Sequence, residues 1–515
     1  MRQAHWRLTG AAFLGLAGAA CSAILGLEAP PDALPSSDAG PPPADGAPVD
    51  AGPPPVCASL DAVTDAGGSY SSIAFDDAGT GAWDWFDTTA ISSAHPTSFA
   101  GGTFDGRFVY FAGRGGDIAQ YDTMGASFDA PASWAYYGTG TGGPEGFSGA
   151  LFDGRYVYFI PYLDVVPQSR ILRYDSAGAF TSAASWSSFD LLALSADGGA
   201  ATSGFVGGGF DGRYLYLVPH ADGAPDGRVV RYDTVEPDAG VADAGHSGDA
   251  GGDAGHSGDA GGDAGEDAGE DAGPGDFGEL DRWATFDVST VNPLATGFSG
   301  AAFDGTSLYL APTSNGGPID KGFSAIAARL QTDGGGGFKS DAGWSTYDLT
   351  NVNGLAFNFV GAGFDGRYVY FAPRGNQVVV RFDTTVKQFN SATAWTSRDL
   401  ASVLPPAQPD AAALPAYYAG VGFDGRFVYL IPAGTGFATV VRYDTLSTFF
   451  ADCAWSTVDL TQIDAGGVVP QNYNGAVFDG QYLYLVPNSG GIVARFNART
   501  PGLLPSLPAF HGSFW

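Results

Sequence analysis

A chain of 515 residues with a formal net charge of −32 carries 78 Gly, 33 Pro and 13% aromatics, but three Lys. So much Gly with so little Lys, Glu and Met disfavours an all-helical fold, and the aromatic share excludes disorder throughout. So acidic a chain excludes nucleic acid as a partner, because phosphate contacts need a basic face.

In chain order, residues 1–21 read as an export signal. Arg2 and Arg7 precede an apolar run from Leu8 to Ala20, too short to span a bilayer of about 30 Å as a helix. The run Gly18-Ala19-Ala20-Cys21 resembles the lipobox of bacterial lipoproteins, which implies acylation of Cys21. Gly18 stands where that motif usually has Leu, and cleavage near Ala19 or Ala20 is the competing reading. Ser22 resembles the residue found in lipoproteins sorted to an outer membrane. Residues 22–68 are rich in Pro, Ala, Asp and Gly, cannot bury apolar surface, and read as an extended tether. A secreted protein with an irregular N-terminus is the alternative.

From residue 69 to 500 one unit recurs. The phrase "FDGRYVYF" or a near copy begins at Phe104, Phe152, Phe210, Phe303, Phe364, Phe423 and Phe478. Apart from one interval the period is about 55 residues, the signature of a propeller or a solenoid. Residues 359–400 show the local structure: a short run of small and apolar residues, Asp365-Gly366 as a tight turn with φ above zero at both positions, then three β-rich segments. No segment has a helical period. Four-stranded antiparallel blades repeated seven times predict an all-β, seven-bladed β-propeller.

Closure is also written in the chain. The fourth-strand Trp recurs six times after the repeats begin, at Trp134, Trp186, Trp283, Trp344, Trp395 and Trp455, while the seventh, Trp83, precedes them. The last unit stops after three strands. An N-terminal strand therefore completes the last blade, since an open ring would leave two exposed edges. The order of apolar strand, "DG" with Arg, "YVYF" strand, "YD" or "FD" strand and Trp strand resembles kelch-type propellers over about residues 80–500. The double Gly of those repeats is replaced here by "AP", "IP" or "VP".

The turn Asp residues (Asp105, Asp153, Asp211, Asp304, Asp365, Asp424, Asp479) read as turn chemistry rather than a catalytic set, because seven equivalent copies rarely share one active site. Gly101, Gly149, Gly207, Gly300, Gly361, Gly420 and Gly475 mark the innermost strands, where crowding favours a residue without a side chain. Arg after the turn, Arg before "YD" and Asp in "WxxxD" suggest ion pairs within or between blades, and the Trp residues suggest packing between blades.

Function is expected where the units differ. Loops from second to third strand, and from a fourth strand to the next first strand, share one face and are diverse. The ring mouth on that face is a natural pocket. Candidate polar contacts there are Glu145, Asp164, His220, Asp222, Asp226 and Asp320, with Tyr162, Tyr417 and Tyr418 as aromatic platforms. Enzyme signals are thin: the His residues are too scattered for a metal site, no nucleophile motif stands in a strand-to-helix context, and no cofactor is called for. Residues 235–276 form an acidic low-complexity insertion between two strands of the third blade, read as a solvated loop. Cys57 and Cys453 form a disulfide or remain two thiols. Residues 501–515 are a tail.

The expectation is thus an exported, lipid-anchored envelope protein, otherwise secreted, touching the membrane through its anchor alone. As a monomer it recognises a protein or glycan through the variable face. The rival readings are a polysaccharide-acting hydrolase or lyase and a structural surface protein.

Overall fold

The computed structural model describes Cys57, residues 64–65 and 68–70, Phe75, and 81–500 except 93–95, 141–145, 163–168, 196–201, 222–223, 236–276, 315–321, 333–336, 405–416, 464–466 and 468. Glu145, Asp164, Asp222, Asp320, Cys21 and the tail therefore lie outside the described residues, as do the signal, nearly all of the tether and the acidic insertion, Val235 excepted.

Seven four-stranded antiparallel sheets form the body of the protein. In the fifth, Phe359–Phe364, Tyr368–Pro373, Val378–Asp383 and Trp395–Asp399 follow each other in space as in the chain. Five other sheets are built in the same way. In the seventh, Tyr473–Phe478, Tyr482–Pro487 and Ile492–Asn497 take Trp83–Asp87 as their outer strand, with Trp83 opposite Phe496 and Asp87 opposite Ile492. First strands of successive blades touch, and the last, Tyr473–Phe478, touches the first, Phe99–Phe104. The ring is closed, as the displaced Trp83 predicts.

A second clasp was not legible beforehand. Gly68–Tyr70 pairs with both Thr64–Asp65 and Arg499–Thr500, so the chain that enters the ring also pairs with the chain that leaves it. Phe75 completes the substitution. It packs on Trp83, Phe496 and Tyr429 at ring-centroid distances of 6.1, 5.3 and 5.8 Å. Phe128 takes the same place in the first blade, against Trp134, Tyr121 and Tyr484. Cys57 and Cys453 are joined by a disulfide with Cα atoms 6.0 Å apart, which ties the entering segment to the sixth blade.

Sequence periodicity becomes packing in two ways. On the inner strands, the glycine ring lets backbones meet: a Cβ on Gly300 would stand 2.7 Å from Cα of Gly361, and one on Gly361 2.7 Å from Cα of Gly420. Each inner strand shifts register here, and Gly361 adopts φ 85°. On the outer strands, the fourth residue covers the Trp of the next blade. Phe86 stacks on Trp134, Tyr137 on Trp186, Phe189 on Trp283, Phe286 on Trp344 and Tyr347 on Trp395, at 4.0 to 5.4 Å. Arg398 caps Trp455 in the one such step where a cation replaces the ring. The Trp residues are inter-blade packing, each pair worth roughly 0.5–1.5 kcal/mol beyond its buried area.

Candidate functional site

The two faces of the ring obey different rules. On the "DG" face every blade repeats one arrangement. Asp105 Oδ1 accepts from the backbone N–H groups of Arg107 and Phe108, and its Oδ2 accepts from the Tyr110 hydroxyl at 2.6 Å. The same three donors recur at Asp153, Asp211, Asp304, Asp365, Asp424 and Asp479. Only the Gly of each turn has positive φ, near 100°, rather than both residues as the Asp-Gly pair suggested. The carboxylate holds Asp in place by collecting N–H groups, so it needs no left-handed backbone.

The expected ion pairs form with a different partner. Arg107, Arg155, Arg213, Arg367 and Arg426 pair with the Asp of "YD" or "FD": Asp122, Asp175, Asp233, Asp383 and Asp444. The "WxxxD" residues instead cap single turns, as Asp348 does by accepting from Thr350 N. Arg173, Arg231, Arg381, Arg442 and Arg495 lie between two aromatic rings, 3.8 to 4.5 Å from each centroid. The repeated turn, ion-pair and capping contacts on this face are accounted for by folding.

The opposite face keeps the backbone constant and varies the side chain. The residue following each second strand donates its N–H to the residue preceding its own blade's first strand. The seven bonds are Arg114 to Ser98, Tyr162 to Gly146, His220 to Gly204, Thr313 to Gly297, Arg374 to Asn358, Ala433 to Tyr417 and Asn488 to Asn472, all 2.7 to 3.1 Å. These fourteen residues form a lip around the mouth. The loops behind it run from 114–116 in the first blade to 313–325 in the fourth.

Contacts along the lip join neighbouring blades. The Arg114 guanidinium lies 4.5 Å over the Tyr162 ring. His220 Nδ1 donates to the Phe298 carbonyl at 3.0 Å, which leaves Nε2 as the acceptor of a neutral ring. Burial pushes the His220 pKa down, the Phe298 hydrogen bond opposes that, and the charge of Arg374 adds to it. Thr313 Oγ1 donates to Asn358 Oδ1 at 3.1 Å, and Asn472 Oδ1 accepts from Gly434 N at 2.9 Å. Asn358 and Asn472 have φ 59° and 61°, a conformation Asn tolerates better than bulkier residues.

Of the residues singled out from sequence, Tyr162, His220, Asp226 and Tyr417 stand on this face. Asp226 is used within its loop: its carboxylate pairs with Arg228 at 3.0 Å, and its carbonyl accepts from Gly297 N. Tyr417 is half-buried beside Gly375, where a Cβ would come within 3.2 Å of its ring. Tyr418 is a correction. It is the first residue of an inner strand, a place held by Phe99, Phe147, Phe205, Phe298 and Phe359 in other blades, and it is fully buried. It is a core residue, so it offers no platform. Sequence reading missed Arg114, Thr313, Arg374, Asn358, Asn472 and Asn488. For Thr313, Arg374 and Asn488 the signal was present, because the position after each "AP", "IP" or "VP", aligned across units, is the one whose side chain changes; Arg114 follows "AG", and Asn358 and Asn472 precede first strands.

Two clefts lie away from the lip. One of about 780 Å³ runs along the closing strand between Trp85, Asp129 and Gln462, and one of about 580 Å³ lies between the fifth and sixth blades at Arg381 and Tyr443.

No protein family model matches this chain, and no curated protein matches it. Among 985 similar chains of solved structures, one from a structure titled "Crystal Structure of Mitotic Checkpoint Complex" is 7% identical with a TM-score of 0.44. That match covers 81% of this chain and 93% of the other.

Proposed function

We propose that this chain is a recognition module of the bacterial envelope, exported and anchored through acylated Cys21, whose kelch-like propeller binds a protein or glycan with its variable face. The observation that carries the reading is the contrast between faces. Seven "DG" turns repeat one hydrogen-bond pattern, while seven lip positions with one backbone pattern carry Arg, Tyr, His, Thr, Arg, Ala and Asn. Folding explains the first face; a scaffold that holds unlike side chains around a mouth supports recognition. The tether of residues 22–68 would hold that face away from a membrane.

The test is capture from envelope extract by the immobilised chain from residue 22 onward, beside a version with 162–169 and 220–227 replaced by Gly-Ser. A partner retained by the first and lost by the second is expected. Equal retention by both overturns the reading. Anchoring is checked separately by fatty-acid labelling in cells, which Cys21→Ser should abolish.

A further inference from the structure

We propose that the lip binds an acidic glycan, whose carboxylate or sulfate groups are held by Arg114 and Arg374; this rests on the variable face being the recognition surface. The argument begins with the other arginines. Most described guanidinium groups meet a carboxylate, carbonyl or hydroxyl: Arg282 donates to the Asp233 carbonyl, Arg329 to the Lys387 carbonyl, Arg173 to the Ser187 hydroxyl. Arg114 and Arg374 have no such partner among the described residues, although they stand at equivalent positions of the lip. Arg114 reaches only the Tyr162 ring, and its Nε is buried without an acceptor. Arg374 is exposed, and its charge is felt at His220 of the third blade, two blades away. Both stand on the lip face of the one closed ring, each directly after its blade's second strand.

Two guanidinium groups with no acid partner among the described residues, in a chain of net charge −32, are a specific feature, because the planar fork matches carboxylate and sulfate geometry. Residues 28–65 and 236–276 hold nineteen acidic residues and no Lys or Arg, which is nineteen of the 32 net negative charges. The insertion also joins the third blade between Asp233 and Trp283, on the "DG" side. The neighbours favour a saccharide over an acidic peptide. The half-buried Tyr162 and Tyr417 add aromatic rings to the lip and the half-buried Asn488 an amide, while Thr313 and Asn358 are buried and bonded to each other. A peptide would want an apolar pocket for an anchoring side chain, and the seven positions after the second strands have Ala433 as their one aliphatic member.

The experiment titrates the chain from residue 22 onward, by calorimetry, with oligogalacturonate, oligoguluronate and chondroitin sulfate fragments. Each is run beside its methyl-esterified or desulfated counterpart, and polyglutamate is run as the acidic peptide. At least one acidic glycan is expected to bind, with affinity falling about tenfold or more when its charge is removed and at raised salt. Arg114→Gln and Arg374→Gln should each weaken binding about tenfold with Tm held, while Lys387→Gln, an exposed cation on the other face, should not. Failure of every acidic glycan, equal binding of a neutral counterpart, or indifference to both Arg substitutions overturns the proposal. Arginine-dependent binding of polyglutamate alone overturns the glycan in favour of a peptide. If loop replacement still abolishes capture from envelope extract while this panel fails, only the present inference falls. If loop replacement changes nothing, the recognition reading falls with it.

Discussion

A turn aspartate gathers three donors, and the degree of burial decides how much that is worth. In the sixth blade Asp424 is fully buried; burial pushes its pKa up, while the N–H of Phe427, the Tyr429 hydroxyl and the N–H of Arg426 oppose the shift. Tyr429→Phe removes one donor from a carboxylate that water does not reach. We expect it to cost about 1.5–3 kcal/mol in urea unfolding, as for hydrogen bonds to charged groups. Arg367→Ala in the fifth blade breaks an exposed pair with Asp383 and should cost under about 1 kcal/mol. Reversal of that order would refute the weight given to burial. His220 makes a prediction of opposite chemistry. Its pKa is lowered in the folded state, so the unfolded chain binds the extra proton first as pH falls below about 6.5. Stability from this site is present above that pH and is lost as pH falls toward the folded value. The fall in Tm between pH 7 and pH 5 should therefore be smaller in His220→Gln; an unchanged slope would show that His220 does not contribute.

At the scale of the element, the closing strand carries the heaviest duty. Trp83–Asp87 gives the last blade its fourth strand, and Phe75 gives it the aromatic that other blades take from the segment before their own Trp. Trp83→Ala should cost about 3–5 kcal/mol by the usual price of emptying a buried aromatic site. It should also raise aggregation more than Trp344→Ala does, because weakening this strand exposes the edge at Ile492–Asn497. Equal aggregation by the two variants, measured by light scattering near Tm, would argue against the clasp. The disulfide at Cys57 and Cys453 sits on the same entering segment, next to the apolar cluster around Tyr429 and Phe496.

For the molecule as a whole, a closed ring separates what must repeat from what is free to vary. The "DG" face, the glycine ring and the Trp stacks repeat because each blade must fit its neighbours. Loops that end on the lip do not have to fit the next blade in the same way. The acidic insertion exploits that freedom at another place: joining 235 to 277 should leave unfolding free energy within about 1 kcal/mol, since loop entropy grows slowly with length. A larger loss would mean that the insertion supports its blade.

The sequence alone determined the number of blades, their strand order, the closing strand and the role of the turn aspartates. Each of these repeats locally with a fixed period, and steric and hydrogen-bonding rules within some ten residues set it. Only the tertiary structure decided which acid each arginine meets, that Phe75 and Gly68–Tyr70 extend the clasp, that Tyr418 is core, and that Arg114 and Arg374 hold equivalent positions on the lip. The arginine pairing depends on which side chains the strands of one blade set side by side, and the clasp on a ring that brings together residues the chain keeps hundreds of positions apart.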